Sequence, residues 1–177
     1  MTRFPPLLLI CLAALPVAAG IVHVPADQPT IQTGIEAAAD GDTVEIACGT
    51  YYEHNIILRP SICIRGATGM PEGVVIDAQQ QGHVILIGVV YSNISITIEG
   101  LTLRGGSAPG SSHGGGLRVF TDGWLVAHNC IFEDNFALGG GAVYLNGCES
   151  QLWADFIDCR FENNSAVDQG GAVWVDY

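Results

Sequence analysis

The chain has 177 residues, 23 of them glycine and none of them lysine, and its 18 acidic groups against 6 basic ones leave a net charge of −12. That balance argues against nucleic acid and anionic lipid as partners and favours solubility, or cations as partners. Hydrophobic residues make up 49%, so the composition is that of a folded chain about one domain long rather than of a disordered one.

Residues 1–19 read as an export signal peptide. Arg3 gives the positive start, Leu7 to Leu15 the apolar stretch, and Val17, Ala18 and Ala19 the small-residue cleavage region, near Ala19 or Gly20. The apolar stretch is short for a membrane span and is broken by Pro16. A lipid anchor at Cys11 is disfavoured by bulky Ile10, where a small residue is wanted. No later stretch is long and apolar enough to span a bilayer, so an extracellular or cell-surface location is expected.

Val22 to Pro25 is expected as a first strand. A short amphipathic helix comes next, with Asp27 or Gln28 at its start, Pro29 in its first turn, Ile31, Ile35 and Ala38 on one face, and Asp40-Gly41 at its end. It is expected to act as a lid over the open end of the strand region after it. The hydrophobic period then changes to two. Val44 and Ile46 flank Glu45, Ile62 and Ile64 flank Cys63, and Ile94, Ile96 and Ile98 alternate with Ser95 and Thr97.

The second half repeats. Asn129-Cys130-Ile131-Phe132-Glu133-Asp134-Asn135 returns as Asp158-Cys159-Arg160-Phe161-Glu162-Asn163-Asn164, and each copy leads to Gly-Gly-Ala-Val, at Gly140 and at Gly170. A fainter copy begins at Leu101 and reaches Gly114. The copies align Leu103, Phe132 and Phe161 in one inward column, and Leu101, Cys130 and Cys159 in another. Further columns are Ile98, Ala127 and Phe156, then Leu117, Val143 and Val173, then Val119, Leu145 and Val175. Thr102, Ile131 and Arg160 should point outward. A unit of this length cannot bury its own apolar face and must stack on its neighbour. About three short strands per coil predict an all-β, right-handed parallel β-helix over residues 20–177. Phe132 over Phe161 then forms an internal aromatic stack. Asn135 over Asn164 forms an asparagine ladder in a turn, with Asn suited to left-handed backbone. The sequence stops inside a predicted coil at Val173 to Tyr177, so a further module is expected to cover that end.

Removal of the signal leaves Cys48, Cys63, Cys130, Cys148 and Cys159, an odd number without zinc-type spacing. Their pairing is open; a bridge between stacked Cys130 and Cys159 fits the coil spacing without being required. His23, His54, His83, His113 and His128 share no metal spacing, and Asp77 reads as a lone turn cap. No cofactor is implied. Calcium is the one metal to consider, at a ladder of Glu133, Asp134 and Glu162 or at Asp155 with Asp158, although acids in such turns are usually solvated. No catalytic residues are assigned. The candidate ligand-binding residues are Arg118, Tyr144 and Trp174, which share one outward repeat position, and Trp124 with Trp153, a second outward pair. Such aromatics can stack on sugar rings or simply stabilise cross-strand packing.

Pro29-Thr30-Ile31-Gln32, Gly41-Asp42-Thr43-Val44 and Gly49-Thr50-Tyr51-Tyr52-Glu53 resemble the N-terminal opening of pectin-lyase-like right-handed β-helix proteins. Phe132, Asn135 and Ala137, with Phe161, Asn164 and Ala166 and the paired Gly-Gly-Ala-Val, resemble the repeats of polymorphic outer-membrane proteins. The resemblance implies the β-helix, a fold that hosts lyases, hydrolases, esterases and adhesins alike. The function expected is a non-catalytic stalk, adhesin or glycan-binding surface, with a polysaccharide or cell-surface glycan as partner. The alternative is a lyase or hydrolase acting on acidic polysaccharide.

Overall fold

The computed structural model describes residues 19–88, 93–108, 110, 112–147 and 152–176. The signal-peptide expectation, apart from Ala19, lies outside the described residues, and so does Cys148.

The chain winds into a parallel β-helix. Sheet A contains Ile21–Val24, Thr43–Ile46, Cys63–Gly66, Asn93–Glu99, Asp122–His128 and Leu152–Ile157 in that order. Sheet B stacks Gly49–Tyr51, Val74–Asp77, Thr102–Arg104, Ile131–Glu133 and Arg160–Glu162. Sheet C stacks Ile56–Leu58, Ile85–Ile87, Leu117–Phe120, Val143–Asn146 and Val173–Asp176. Each strand pairs in parallel with the equivalent strand one coil away, so every ladder joins residues distant in sequence. The three-strand expectation holds for these sheets. The later coils add a fourth, short sheet D of Ser107–Ala108, Phe136–Gly139 and Ser165–Gln169.

The expected columns are in register. Phe132 pairs with Leu103 on one side and Phe161 on the other, and Ala127 lies between Ile98 and Phe156. Their side chains fill one core with Leu101, Leu117, Val119, Cys130, Val143 and Leu145. The rings of Phe132 and Phe161 are 4.9 Å apart and 6° from parallel.

Local chemistry turns each corner. The Asn ladder forms as expected, with Asn135 Nδ2 donating to Asn164 Oδ1 at 3.0 Å. The left-handed residues, however, are the ones just before it, Asp134 at φ 53° and Asn163 at φ 54°. Asn135 and Asn164 are therefore free to aim their amides along the coil axis. Gly140 and Gly170 take φ 59° before sheet C, a conformation glycine adopts without Cβ strain.

Ile31–Ala37 is the helix that covers the first coil, burying Ile31, Gly34 and Ile35. Its N-cap is Thr30, not Asp27 or Gln28, because Thr30 and Thr33 form a reciprocal capping box. Asp27 instead accepts from the backbone N–H of His23 at 2.8 Å. Glu53, expected as a surface residue, accepts from the N–H groups of Ile31 at 2.8 Å and Gln32 at 3.1 Å. A carboxylate there satisfies two orphan donors and faces the positive end of the helix. No helix among the described residues is long and apolar enough to cross a membrane.

Thr102 and Ile131 point out of sheet B as expected, yet both are buried. The segment Ala67–Gly73 lies over them. Thr102 Oγ1 donates to Pro71 O at 2.9 Å, and Asn129 Nδ2 donates to Gly69 O at 2.7 Å.

Candidate functional site

Two outward aromatic groups lie on different faces of the helix. On sheet A the run Gly123-Trp124-Leu125-Val126-Ala127 alternates, with Leu125 and Ala127 in the core and Trp124 outside. Trp124 pairs in register with Trp153 in the next coil. The two indoles stack at 5.5 Å and 14°, and they are 53% and 62% exposed. They make a flat apolar platform on the outer face of sheet A, which also exposes Ile157.

On sheet C, Leu86, Arg118, Tyr144 and Trp174 succeed one another in register. The expected open ladder is not open. Tyr144 is only 4% exposed, because the imidazole of His113 lies across it at 4.8 Å and meets Trp174 edge-on at 4.5 Å. The Tyr144 hydroxyl donates to Asp176 Oδ2 at 3.1 Å and accepts from Asn146 Nδ2 at 3.1 Å. Burial pushes its phenol above the ordinary value.

His83 and His113, which share no metal spacing in the sequence, both belong to this face. His83 Nδ1 lies 2.7 Å from Gly114 O, and its Nε2 lies 3.1 Å from Ser112 Oγ. The carbonyl can only accept, so Nδ1 carries the proton and Nε2 accepts from the serine. Burial pushes this imidazole below its usual range, which keeps it neutral. His83 precedes the Ile85–Ile87 strand and carried no signal in the sequence; the signal for His113 was the longer turn between Leu103 and Gly114, compared with the other two copies. That extra length folds back over sheet C.

Arginines engage two of the acidic candidates, Glu133 and Glu162. Glu133 stacks on Glu162 in register; Arg104 Nη1 lies 3.6 Å from Glu133, and Arg160 Nε lies 3.5 Å from Glu162. Arg104 also binds Asp77 through Nε and Nη2, at 3.1 and 2.8 Å. Asp77 caps its turn as expected, accepting from Gln79 N at 2.8 Å. Arg160 reaches Glu72 at 2.5 Å. His128 lies between Glu99 at 3.5 Å and Asp158 at 3.8 Å. Among the described residues, no three His, Cys, Asp or Glu side chains converge into a group able to hold a metal ion.

Cys48, Cys63, Cys130 and Cys159 are free thiols. Cys130 and Cys159 are neighbours in stacked coils; Cys130 Sγ donates to Ile98 O at 3.5 Å and His128 O at 3.3 Å, and Cys159 Sγ to Ala127 O and Ile157 O, both at 3.4 Å. The Cys159 thiol is lowered to about 7 by the neighbouring Cys130, with His128 adding to the effect, whereas Cys130 is pushed up by the same neighbour and by burial. Alkylation of Cys159 by iodoacetamide, monitored by peptide mass spectrometry, is therefore expected to reach half its limiting rate near pH 7. Cys130→Ser should change that midpoint, since the neighbouring Cys130 thiol is the largest contribution. A midpoint in the ordinary thiol range for both proteins would contradict the coupling of the two thiols.

Residues 158–176 match the Chlamydia polymorphic membrane protein repeat. The matched span carries the second Phe-x-x-Asn motif and the second Gly-Gly-Ala-Val, and it runs through the last strands of sheets B, D and C. Neither the curated proteins nor the solved structures give a significant match. The chain is a parallel β-helix with repeats like those of polymorphic membrane proteins.

Proposed function

We propose that this chain is a cell-surface β-helix that serves as an adhesive or glycan-binding stalk, with Trp124 and Trp153 as the contact platform. The single observation that carries the reading is the stacked indole pair, more than half exposed on the outer face of sheet A. Exposed apolar area of this kind favours a partner that covers it. A stacked pair offers one flat surface that fits the apolar face of a sugar ring. The repeat match supports placement at the cell surface, since the repeat is that of a membrane-protein family. The acids Glu133, Glu162 and Asp77 are engaged by arginines, which favours binding over hydrolytic chemistry at those positions.

A glycan and polysaccharide array probed with the full chain tests this directly, read for both retention and cleavage products. Retention without cleavage is expected. Trp124→Ala and Trp153→Ala should each weaken it about tenfold, given the size of aromatic stacking contributions. Unchanged retention in both folded variants would reduce the platform to cross-strand packing, and cleavage products would replace this reading with an enzymatic one.

A further inference from the structure

The described arginines divide by environment. Arg65, Arg104 and Arg160 each face a carboxylate, and Arg59 is exposed. Arg118 differs from all of them. It is partly buried on the outer face of sheet C between Leu86 and Tyr144, and among the described residues it has no carboxylate partner. It pairs in register with Tyr144, and its charge acts on both His83 and Tyr144. His83 is a neutral neighbour there, held by Gly114 and Ser112.

Two buried side-chain polar atoms among the described residues lack a protein partner: Arg118 Nε and His113 Nδ1. Both belong to this one face. An unpaired guanidinium is unusual in a chain with 18 acidic and 6 basic side chains. It costs least where an oxyanion supplies the missing partner. Leu86 and the Tyr144 ring flank it, and apolar surroundings strengthen a charge-assisted hydrogen bond. The face also has a direction. Asp176, at the Tyr144 hydroxyl, repels an anion at that end and can accept from hydroxyl groups. Trp174 offers a partly exposed ring one coil beyond Tyr144.

We propose that Arg118 is an anion-binding residue, and that the sheet C face around Arg118 and Trp174 takes the carboxylate or sulfate ester of an acidic saccharide. The sugar ring lies against Trp174, with its hydroxyls toward Asp176 and Asn146. The proposal rests on the glycan-binding reading above but uses a different face from the Trp124–Trp153 platform.

The test monitors the arginine Nε–Hε resonances of the ¹⁵N-labelled full chain, with the Arg118 signal assigned by its loss in Arg118→Gln. The probes are methyl β-glucuronide, methyl β-glucoside and sodium sulfate. The glucuronide is expected to shift the Arg118 signal saturably, the glucoside not to shift it, and sulfate to require at least about tenfold more for the same shift. Trp174→Ala should raise the glucuronide Kd about tenfold while leaving the Arg118 signal present. Arg118→Lys should retain weak binding and Arg118→Gln none, measured through Trp174 fluorescence. Equal response to glucuronide and glucoside, or no response to either, overturns the proposal. Saturation by sulfate at the glucuronide concentration overturns its saccharide part and leaves a simple anion site. Loss of array retention in the Trp124 and Trp153 variants reports on the other face, so the two readings fail separately.

Discussion

Phe132→Ala is expected to lower unfolding stability by about 3–5 kcal/mol, the usual range for removing a fully buried phenylalanine. Phe132 is wholly inaccessible and sits in the middle of a column, with Leu103 on one side and Phe161 on the other. Its ring stacks on Phe161 at 4.9 Å and meets Phe156 edge-on at 6.0 Å. Truncation leaves a cavity that rigid sheets on either side cannot close. Phe161→Ala should cost clearly less, because Phe161 is only partly buried. Urea unfolding reads both, with a shift in midpoint at unchanged slope. Equal effects from the two variants would mean that the column does not act as a layered core.

Asn135→Ala is expected to be nearly as costly, about 3 kcal/mol or more, because it orphans several buried partners at about 1–3 kcal/mol each. The Asn135 side chain is 1% exposed. Its Nδ2 donates to Leu103 O and to Asn164 Oδ1, both at 3.0 Å, and its Oδ1 accepts from Gly106 N at 2.7 Å. One amide thus links three successive coils. Alanine has nearly the right backbone preferences but supplies none of these bonds. Hydrogen exchange at the Gly106 amide should accelerate along with the loss of stability. Unchanged protection there would show that the turn holds without the ladder.

The inward columns were legible because a period of two together with a repeat states which side of the sheet a residue faces. Leu103, Phe132 and Phe161 needed nothing more. Burial of outward residues was not legible, because alternation gives direction but says nothing about what lies above. Thr102 and Ile131 face outward and are covered by Ala67–Gly73, a segment from another coil. Tyr144 faces outward and is covered by His113, from a turn whose extra length was visible but whose path was not. Sheet D escaped notice because its strands are short and place small residues, Ala108 and Ala137, in the core. The N-cap moved to Thr30 because Thr33 completes a reciprocal pair, which outweighs the preference of proline for a first turn. Of the candidate ligand-binding residues, the indole pair could be placed by alignment alone, whereas the surroundings of Arg118 and Tyr144 depend on His113, brought in by the longer turn.

The left-handed corner residues themselves keep a schedule. Gly100, Asn129 and Asp158 recur at one corner and Gly105, Asp134 and Asn163 at the next, each 29 positions after the last. Because each bend is written in its own few residues, recombination can add or delete one unit without rewriting its neighbours. A lineage carrying this gene can change the reach of the protein in steps of one coil thickness, about 4.8 Å. Variation of that kind leaves the remaining coils in register and alters only the length of the stack.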